Sequence, residues 1–240
     1  MSLRLLVRVA VFILLVSCQS QESLPKFTGK EYVPLIEGTY WEYAVTTTTI
    51  SPVGGQTNEL TEVRVEVAEV KSENGETTCV LHRYVRPQGT ATYVSEETWS
   101  VETDEFKYIQ QEGNVPYVRI QFPVAEGKTW NGNAFNTQGG TDDCGDGNFT
   151  CDMFAASQVG KPFELPGVST YDDTLTIVES DEEDPIIGKD LRKAIYARNV
   201  GLVYREEIHL EYCTVGSCIG QQQVENGTIV RQTLLTYGAP

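Results

Sequence analysis

Short runs of alternating apolar and polar residues follow one another along most of the chain from residue 32 onward. A two-residue period of this kind is typical of β-strands that have one buried face. The clearest case is 62–67, in which Val63, Val65 and Val67 alternate with charged residues. Comparable runs rich in Val, Ile, Thr and Tyr predict further strands at 41–50, 77–86, 91–101, 105–111, 115–122, 170–178, 202–212 and 228–237.

Turn-forming residues separate these runs and support the prediction of an all-β fold. The acidic run 179–184 is predicted as a solvated loop, and the glycine-rich segment 132–147 as another loop. The pattern does not decide between helix and strand for segment 190–198, because its apolar residues fit a helical spacing while its Ile-Tyr pair favours a strand. Three further segments are predicted as hairpin turns: Asn74-Gly75, Glu112-Gly113-Asn114 and Asn226-Gly227.

Two segments share a pattern of proline, glutamate, glycine and tryptophan at identical spacing, and each is predicted to lead into a strand. Proline cannot donate to a sheet ladder, glycine allows a tight turn, and tryptophan can anchor the strand that follows. We expect these positions to be structural, with both tryptophans at least partly buried, and to mark two related edges or corners of the sheet. They are Pro34, Gly38 and Trp41 in the first segment, and Pro123, Gly127 and Trp130 in the second.

The Pro-x-x-x-Gly-x-x-Trp pattern at 34–41 occurs together with Trp-Asn-Gly-Asn at 130–133 and Val-Gly-Leu-Val at 200–203. This combination resembles an uncharacterised class of Gram-negative secreted lipoproteins, and it is more distantly similar to the half-barrels of the lipoprotein-carrier superfamily. The resemblance implies a curved antiparallel sheet or half-barrel, a strand at 190–198 and a structural role for Gly201. A β-sandwich and a closed barrel are the alternative folds, with one short helix allowed. No catalytic residue comes with the resemblance.

The N-terminus carries an apolar run, 5–16, with basic residues beside and within it. The run is shorter than the ~20 residues of a membrane-spanning helix, so we predict a secretory signal over 1–17. The Leu-Val-Ser-Cys that ends at Cys18 resembles the lipobox of bacterial lipoproteins, which implies cleavage before this cysteine and its acylation. Gln19 stands where an aspartate would resemble an inner-membrane retention signal. We therefore expect a lipid anchor in the outer membrane, facing either the periplasm or the cell surface.

Composition and charge then narrow the domain organisation and the classes of partner. We expect a polar tether over 18–31 and a single antiparallel β domain over 32–240. The chain has 34 acidic against 18 basic residues, which argues against binding nucleic acid through its phosphates. The spacing at 142–144 does not fit an EF-hand, and whether the acidic segments 142–152 and 179–184 bind a cation is left open.

Five cysteines remain in the mature chain, in a compartment where disulfides form. Cys144 and Cys151 flank one turn-forming segment, and Cys213 and Cys218 flank another, so local pairing is the simplest connectivity. Cys79 is left over, and its apolar strand predicts that it is a small buried hydrophobe. We expect the two disulfides to be local staples without redox activity.

Residues that carry chemistry are sparse in this sequence. It has two histidines and shows no phosphate loop, dinucleotide fingerprint or nucleophile elbow, so we predict no enzyme activity, metal or cofactor. The leading hypothesis is a lipid-anchored binding or structural module of the cell envelope, whose partner is an envelope protein, a glycan or an apolar ligand. A carrier of an apolar ligand or lipoprotein would need an open apolar concavity. An envelope hydrolase would need polar groups that converge in a cleft.

Overall fold

The computed structural model describes residues 28–87, 89–137, 153–165 and 167–240. Within this part of the chain all strands belong to one antiparallel sheet, accompanied by two 3₁₀ helices at Lys30–Tyr32 and Gly216–Cys218 and by no α-helix. The strands are β1 (Tyr40–Ser51), β2 (Gly55–Glu73), β3 (Glu76–Pro87), β4 (Val94–Thr103), β5 (Lys107–Glu112), β6 (Val115–Gln121), β7 (Thr129–Asn131), β8 (Met153–Leu165), β9 (Ser169–Asp184), β10 (Gly188–Ala197), β11 (Gly201–Tyr212) and β12 (Val224–Gly238).

The sheet consists of two six-stranded meanders, β1–β6 and β7–β12, joined where β1 pairs with β12. The remaining edges, β6 and β7, face each other across a seam. There the Val118 N–H donates to the Gly132 carbonyl at 2.8 Å, and the Trp130 indole N–H donates to the Val118 carbonyl at 2.7 Å. The sheet therefore curls almost into a closed barrel. This confirms the predicted all-β fold with a curved antiparallel sheet.

The two entry segments, 34–41 and 123–130, form the same hydrogen bonds. Gly38 and Gly127 both have positive φ, 84° and 74°. Each donates its N–H at 2.8 Å to a carbonyl on the strand that pairs next, Val67 of β2 in the first case and Ala156 of β8 in the second. These acceptors follow their glycines by the same number of residues. The repeated sequence pattern is thus a repeated structural element that begins each meander.

A carboxylate fixes each entry segment to the same neighbouring strand. Glu37 accepts a hydrogen bond from the Val70 N–H at 3.4 Å, and Glu126 accepts one from the Val159 N–H at 2.9 Å. Trp41 and Trp130 are the second residues of their strands, and both are buried, as the sequence predicts.

The apolar core fills the end of the barrel at which β1 begins. Val63, Val65 and Val67 of β2 are buried there opposite the start of β1, while the first six residues of β2, at the other end, are exposed. The core residues of the other strands lie at the same end, among them Cys79, Leu81, Val101, Leu175, Ile177, Val203 and Leu234. The interior is therefore apolar at one end of the barrel and polar at the other.

Residues 28–39, which we call the plug, cover the apolar end. Tyr32 is fully buried, and its hydroxyl donates to Asp173 Oδ1 at 2.6 Å. The plug also accepts backbone hydrogen bonds from Asn199 at the Glu31 carbonyl and from Val124 at the Thr28 carbonyl, at 2.7 and 2.9 Å. We call this the plugged end of the barrel and the opposite one the far end. The packed region thus reaches into the segment that the sequence assigns to the tether.

Three features of the second meander differ from the sequence-based expectations. The acidic run 179–184 is not a loop, because it continues β9 and pairs with β10. Asn226-Gly227 is not a turn but lies within β12, and the connection from β11 to β12 falls at 213–223. β8 was not predicted, because a bulge with positive φ at Gln158 and Gly160 interrupts its alternation. Segment 190–198 forms a strand almost throughout, as the resemblance implies.

The cysteines follow the predicted local pattern where the structure describes them. Cys213 and Cys218 form a disulfide, with Cα atoms 5.8 Å apart, in the β11–β12 connection. Cys79 is buried and unbonded, and burial raises the pKa of its thiol to about 11. Cys18, Cys144 and Cys151 lie outside the described residues.

Gly201 gives the first testable prediction. It has a φ of 103°, and an added Cβ would lie 3.0 Å from the Trp41 indole nitrogen. We expect Gly201→Ala to lower the free energy of unfolding by about 2–4 kcal/mol, measured by urea denaturation, because it adds a close contact to a strained backbone. Gly127→Ala is the control, since its φ is also positive but its Cβ would meet nothing within 4 Å. It should cost only about 1–2 kcal/mol. Equal losses in the two variants would contradict the packing argument.

Candidate functional site

A cavity of about 80 Å³ lies inside the barrel, between the plug and the middle of the lumen. We call it the lumen pocket. Aromatic and aliphatic side chains form most of its lining, and a few polar side chains complete it. The lining residues are Val33, Pro34, Leu35, Trp41, Tyr43, Val65, Leu81, Trp99, Tyr108, Gln110, Arg119, Tyr196, Gly201, Leu202, Arg205 and Gln232.

The first entry segment and the β10–β11 turn hold the aromatic wall of the pocket in place. The Trp41 indole N–H donates to the Val200 carbonyl at 2.5 Å, and the Tyr43 hydroxyl donates to the Leu202 carbonyl at 3.0 Å. The Trp41 ring packs directly against the backbone of Gly201, where an added Cβ would lie 3.0 Å from the indole nitrogen. The Val-Gly-Leu-Val motif at 200–203 therefore provides the carbonyl that accepts the Trp41 hydrogen bond and the backbone against which the ring packs.

A cluster of ionised side chains, which we call the charged belt, lies across the lumen beside the pocket. Arg119 of β6 donates to Glu179 of β9 at 2.7 Å, and both side chains are only 3% exposed. A second bond at 2.7 Å joins Arg119 to Glu112 of β5. Arg205 of β11 lies 3.5 Å from Glu179 and 3.6 Å from Glu112. The belt therefore connects strands from both meanders across the seam.

Glu207 completes the charged belt, since it accepts a hydrogen bond from Arg205 at 2.7 Å. Burial raises the pKa of Glu112, but Arg119 and Arg205 outweigh it, so the pKa of this carboxyl lies below its usual range. Burial lowers the pKa of Arg205, yet the surrounding glutamates raise it above its ordinary value. Glu112 and Arg205 are thus held in their ionised forms at neutral pH.

Only the arginines of the charged belt line the lumen pocket, and the three glutamates do not. Each arginine is held by its glutamate partners, and the Arg119 guanidinium also stacks on the Tyr117 ring at 4.3 Å. Glu112 and Glu179 are engaged by the arginines, and neither carboxylate lines the lumen pocket.

A second cavity, of about 550 Å³, lies at the far end beside β9, β10, β11 and β12. Its acidic residues include Glu182, Asp184 and Glu211. His209 Nδ1 lies 2.6 Å from Asp190 Oδ1 on the paired strand, a contact that sequence spacing does not reveal. Within the described ranges no three His, Cys, Asp or Glu side chains are grouped so that they could hold a metal ion.

The residues singled out in the sequence do not form one site. Trp41 and Gly201 meet at the lumen pocket, and Pro34 lines it as well. Trp130 lies instead at the seam, where its ring meets Phe154 edge-on at a centroid distance of 6.3 Å. Of the histidines, His82 packs against Tyr84 within β3.

Sequence reasoning missed the charged belt. In the sequence, the one indication of the belt is Arg119, a basic residue between the apolar residues Val118 and Ile120, which are both buried in the structure. The partner of Arg119 on β9 lies sixty residues further along the chain. No local pattern connects such positions, so the belt becomes visible only when the strand order is known.

The buried ion pair of Arg119 and Glu179 gives the second testable prediction. Glu179→Gln removes a charged partner from the buried Arg119 guanidinium, to which water has little access, so it should lower the free energy of unfolding by about 3 kcal/mol. Glu69→Gln serves as the control, because the contact of Glu69 with Lys71 is exposed and should contribute nothing measurable. Urea denaturation of both variants checks this. Loss of stability in the control alone, or in neither variant, would show that the belt does not stabilise the barrel.

Comparisons with known proteins add little to this geometry. No protein-family model and no curated protein matches the chain. Among solved structures, a candidate exported protein with a YmcC-like fold from Bacteroides fragilis is similar, with a TM-score of 0.41 and 11% identity. A candidate lipoprotein from Parabacteroides distasonis is similar with a TM-score of 0.40 and 12% identity. Both alignments cover 86% of this chain and 98% of the other. Similarity at this level assigns neither a family nor a function.

No helix in the described part of the chain is long and apolar enough to cross a membrane.

Proposed function

We propose that this protein is a lipid-anchored, non-catalytic binding module of the cell envelope that holds a small, largely apolar ligand in the lumen pocket. The lumen pocket is the observation that carries the proposal. Protein interiors are packed to the density of organic crystals, so a cavity of this size with an aromatic wall is unusual in a filled core. The pocket is bounded by residues from the plug and from both meanders, which makes it a feature of the whole fold.

The size of the pocket limits the ligand. A single water needs about 10–15 Å³ on this scale, so 80 Å³ accommodates about six water-sized positions, or one ring of about six atoms. The acyl chain of a lipoprotein is far larger than this. The ligand class is therefore a small ring compound, and the pocket is too small for a lipoprotein carrier of the half-barrel type.

The proposed anchor at Cys18 favours one orientation on the membrane. Thr28, where the described structure begins, is ten residues from Cys18, and ten residues reach at most about 35 Å. β2 alone, with 19 residues, is about 60 Å long. The plugged end should therefore face the membrane, which brings the lumen pocket close to the bilayer from which apolar ligands could come.

The lipid anchor is the third testable prediction. Multiple acyl chains at one site hold a protein firmly, whereas none remain after Cys18→Ala. We expect the wild-type protein to partition into the detergent phase and into the outer-membrane fraction of the cell, and Cys18→Ala to partition into the aqueous phase. Gln19→Asp is the matched variant, since it keeps the acylated cysteine and tests the choice of membrane. Equal partitioning of wild type and Cys18→Ala would refute the anchor.

Binding in the lumen pocket is the fourth testable prediction. Toluene should bind with a dissociation constant of about 1 mM, which is about −4 kcal/mol and well within the limit for a ligand of seven heavy atoms. Ligand-observed NMR measures this, and contacts from toluene to tryptophan indole protons locate it. Val65→Phe should abolish binding, because Val65 lines the pocket and the larger ring would occupy it.

Val85→Phe is the control for this experiment, because it changes the neighbouring strand β3 at a position that does not line the pocket. Circular dichroism establishes that both variants are folded. If Val65→Phe does not fold, the indole contacts in the wild-type protein decide the question. Absence of toluene binding to the wild-type protein would overturn the proposed function.

A further inference from the structure

Two polar side chains in the lumen pocket make no hydrogen bond within the described part of the chain. The Tyr196 hydroxyl is one, and the Gln232 amide is the other. Tyr196 is 7% exposed and belongs to the core, where a tyrosine hydroxyl normally finds a partner. The other four aromatic residues with a polar tip in the lining are satisfied, since each donates a hydrogen bond: Tyr43 to Leu202, Trp41 to Val200, Tyr108 to Gln110 and Trp99 to Glu97.

The protonation state of Tyr196 makes it a hydrogen-bond donor at neutral pH. Burial, together with Glu179 and Glu112, raises the pKa of its phenol to about 12 although Arg119 and Arg205 act in the opposite direction. A ligand oxygen placed beside the Tyr196 hydroxyl would supply the hydrogen-bond partner that the protein does not provide. The amide of Gln232 offers both donors and an acceptor to the same ligand.

The charged belt determines which net charge the ligand can carry. Its two arginines are already engaged by Glu112, Glu179 and Glu207, so an anion in the pocket would add a fourth negative charge to a cluster whose carboxylates already outnumber its guanidinium groups. A cation would meet the arginine side chains, which are the part of the belt that lines the pocket. Burial of either ion would also cost its hydration. A neutral ligand avoids all three costs.

We propose that the lumen pocket selects neutral ring compounds that carry a hydroxyl or amide group, with the ring against Trp41 and Tyr43 and the polar group at Tyr196 and Gln232. This deepens the proposed function, on which it rests, by naming the class of ligand. The aromatic wall supplies affinity for any ring, whereas the unpartnered hydroxyl and amide supply the discrimination between rings.

Two isosteric probe pairs test the proposal, with dissociation constants measured by ligand-observed NMR on the full mature domain at pH 7. Phenol replaces the methyl group of toluene by a hydroxyl, and benzamide replaces the charged carboxylate of benzoate by a neutral amide. Phenol should bind about fivefold more tightly than toluene, the effect of one hydrogen bond. Benzamide should bind at least about tenfold more tightly than benzoate.

Tyr196→Phe is the decisive variant, because it keeps the ring and removes only the hydroxyl. It should bring phenol and toluene to within about twofold of each other while toluene affinity is retained. Tyr212→Phe is the control, since Tyr212 is as deeply buried as Tyr196 but does not line the pocket, and it should keep the preference for phenol. If Tyr196→Phe does not fold, Gln232→Leu replaces it and should reduce the preference of benzamide over benzoate.

The possible outcomes separate this inference from the proposed function. If toluene and phenol bind equally to the wild-type protein, the selectivity is refuted while the apolar pocket stands. If benzoate binds more tightly than benzamide, the argument from the charged belt is wrong. If no probe binds, both the selectivity and the proposed function are refuted. A phenol preference that survives in Tyr196→Phe would show that Tyr196 is not the recognising group.

Discussion

Closure of the seam between β6 and β7 is the constraint on which the rest of the structure depends. A sheet leaves unpaired backbone groups at its edges unless it closes on itself. β7 has only three residues, so backbone pairing can close little of the seam. The hydrogen bond from Val118 to Gly132 is the backbone contact that the structure describes there. Side-chain contacts connect the two meanders along the remainder of the seam. The Trp130 indole bonds to Val118, and Arg119 reaches past β7 to Glu179 on β9. The charged belt therefore holds the two meanders together where the backbone does not.

The same closure explains why the lumen pocket lies where it does. Apolar side chains fill the plugged end, and the charged belt crosses the lumen next to them. Packing further apolar residues against the guanidinium groups would remove water from charges without providing partners. Space remains at this boundary, lined by hydrocarbon on one side and by the arginine side chains on the other. The ion pairs that close the barrel thus also limit how far its core can extend.

The sequence predicted those features that follow from local patterns. Alternation identified β2, and the spacing of proline, glycine and tryptophan identified both entry segments, because each signal lies within ten residues. The predictions that were wrong concern residues whose conformation depends on partners far away in the sequence. Asn226-Gly227 is a strong turn signal, but Gly227 is needed inside β12 because an added Cβ would lie 2.3 Å from the His209 carbonyl oxygen. Glu179 belongs to an acidic run typical of a loop, but its arginine partners on β6 and β11 stabilise it in the interior. Pairings of this kind are decided by strand order.

The two meanders begin with the same element, yet the lumen pocket lies beside the first entry segment, and the reason is what surrounds each tryptophan. Each indole N–H reaches a backbone carbonyl of the other meander, at Val200 for Trp41 and at Val118 for Trp130. The Trp130 ring packs against Phe154 and therefore contributes to the contacts at the seam. The ring of Trp41 lies against Gly201, and the plug, which includes most of this entry segment, leaves a gap beneath Val33 and Leu35. The lumen pocket therefore lies beside one copy of a repeated structural element, because an additional segment covers that copy.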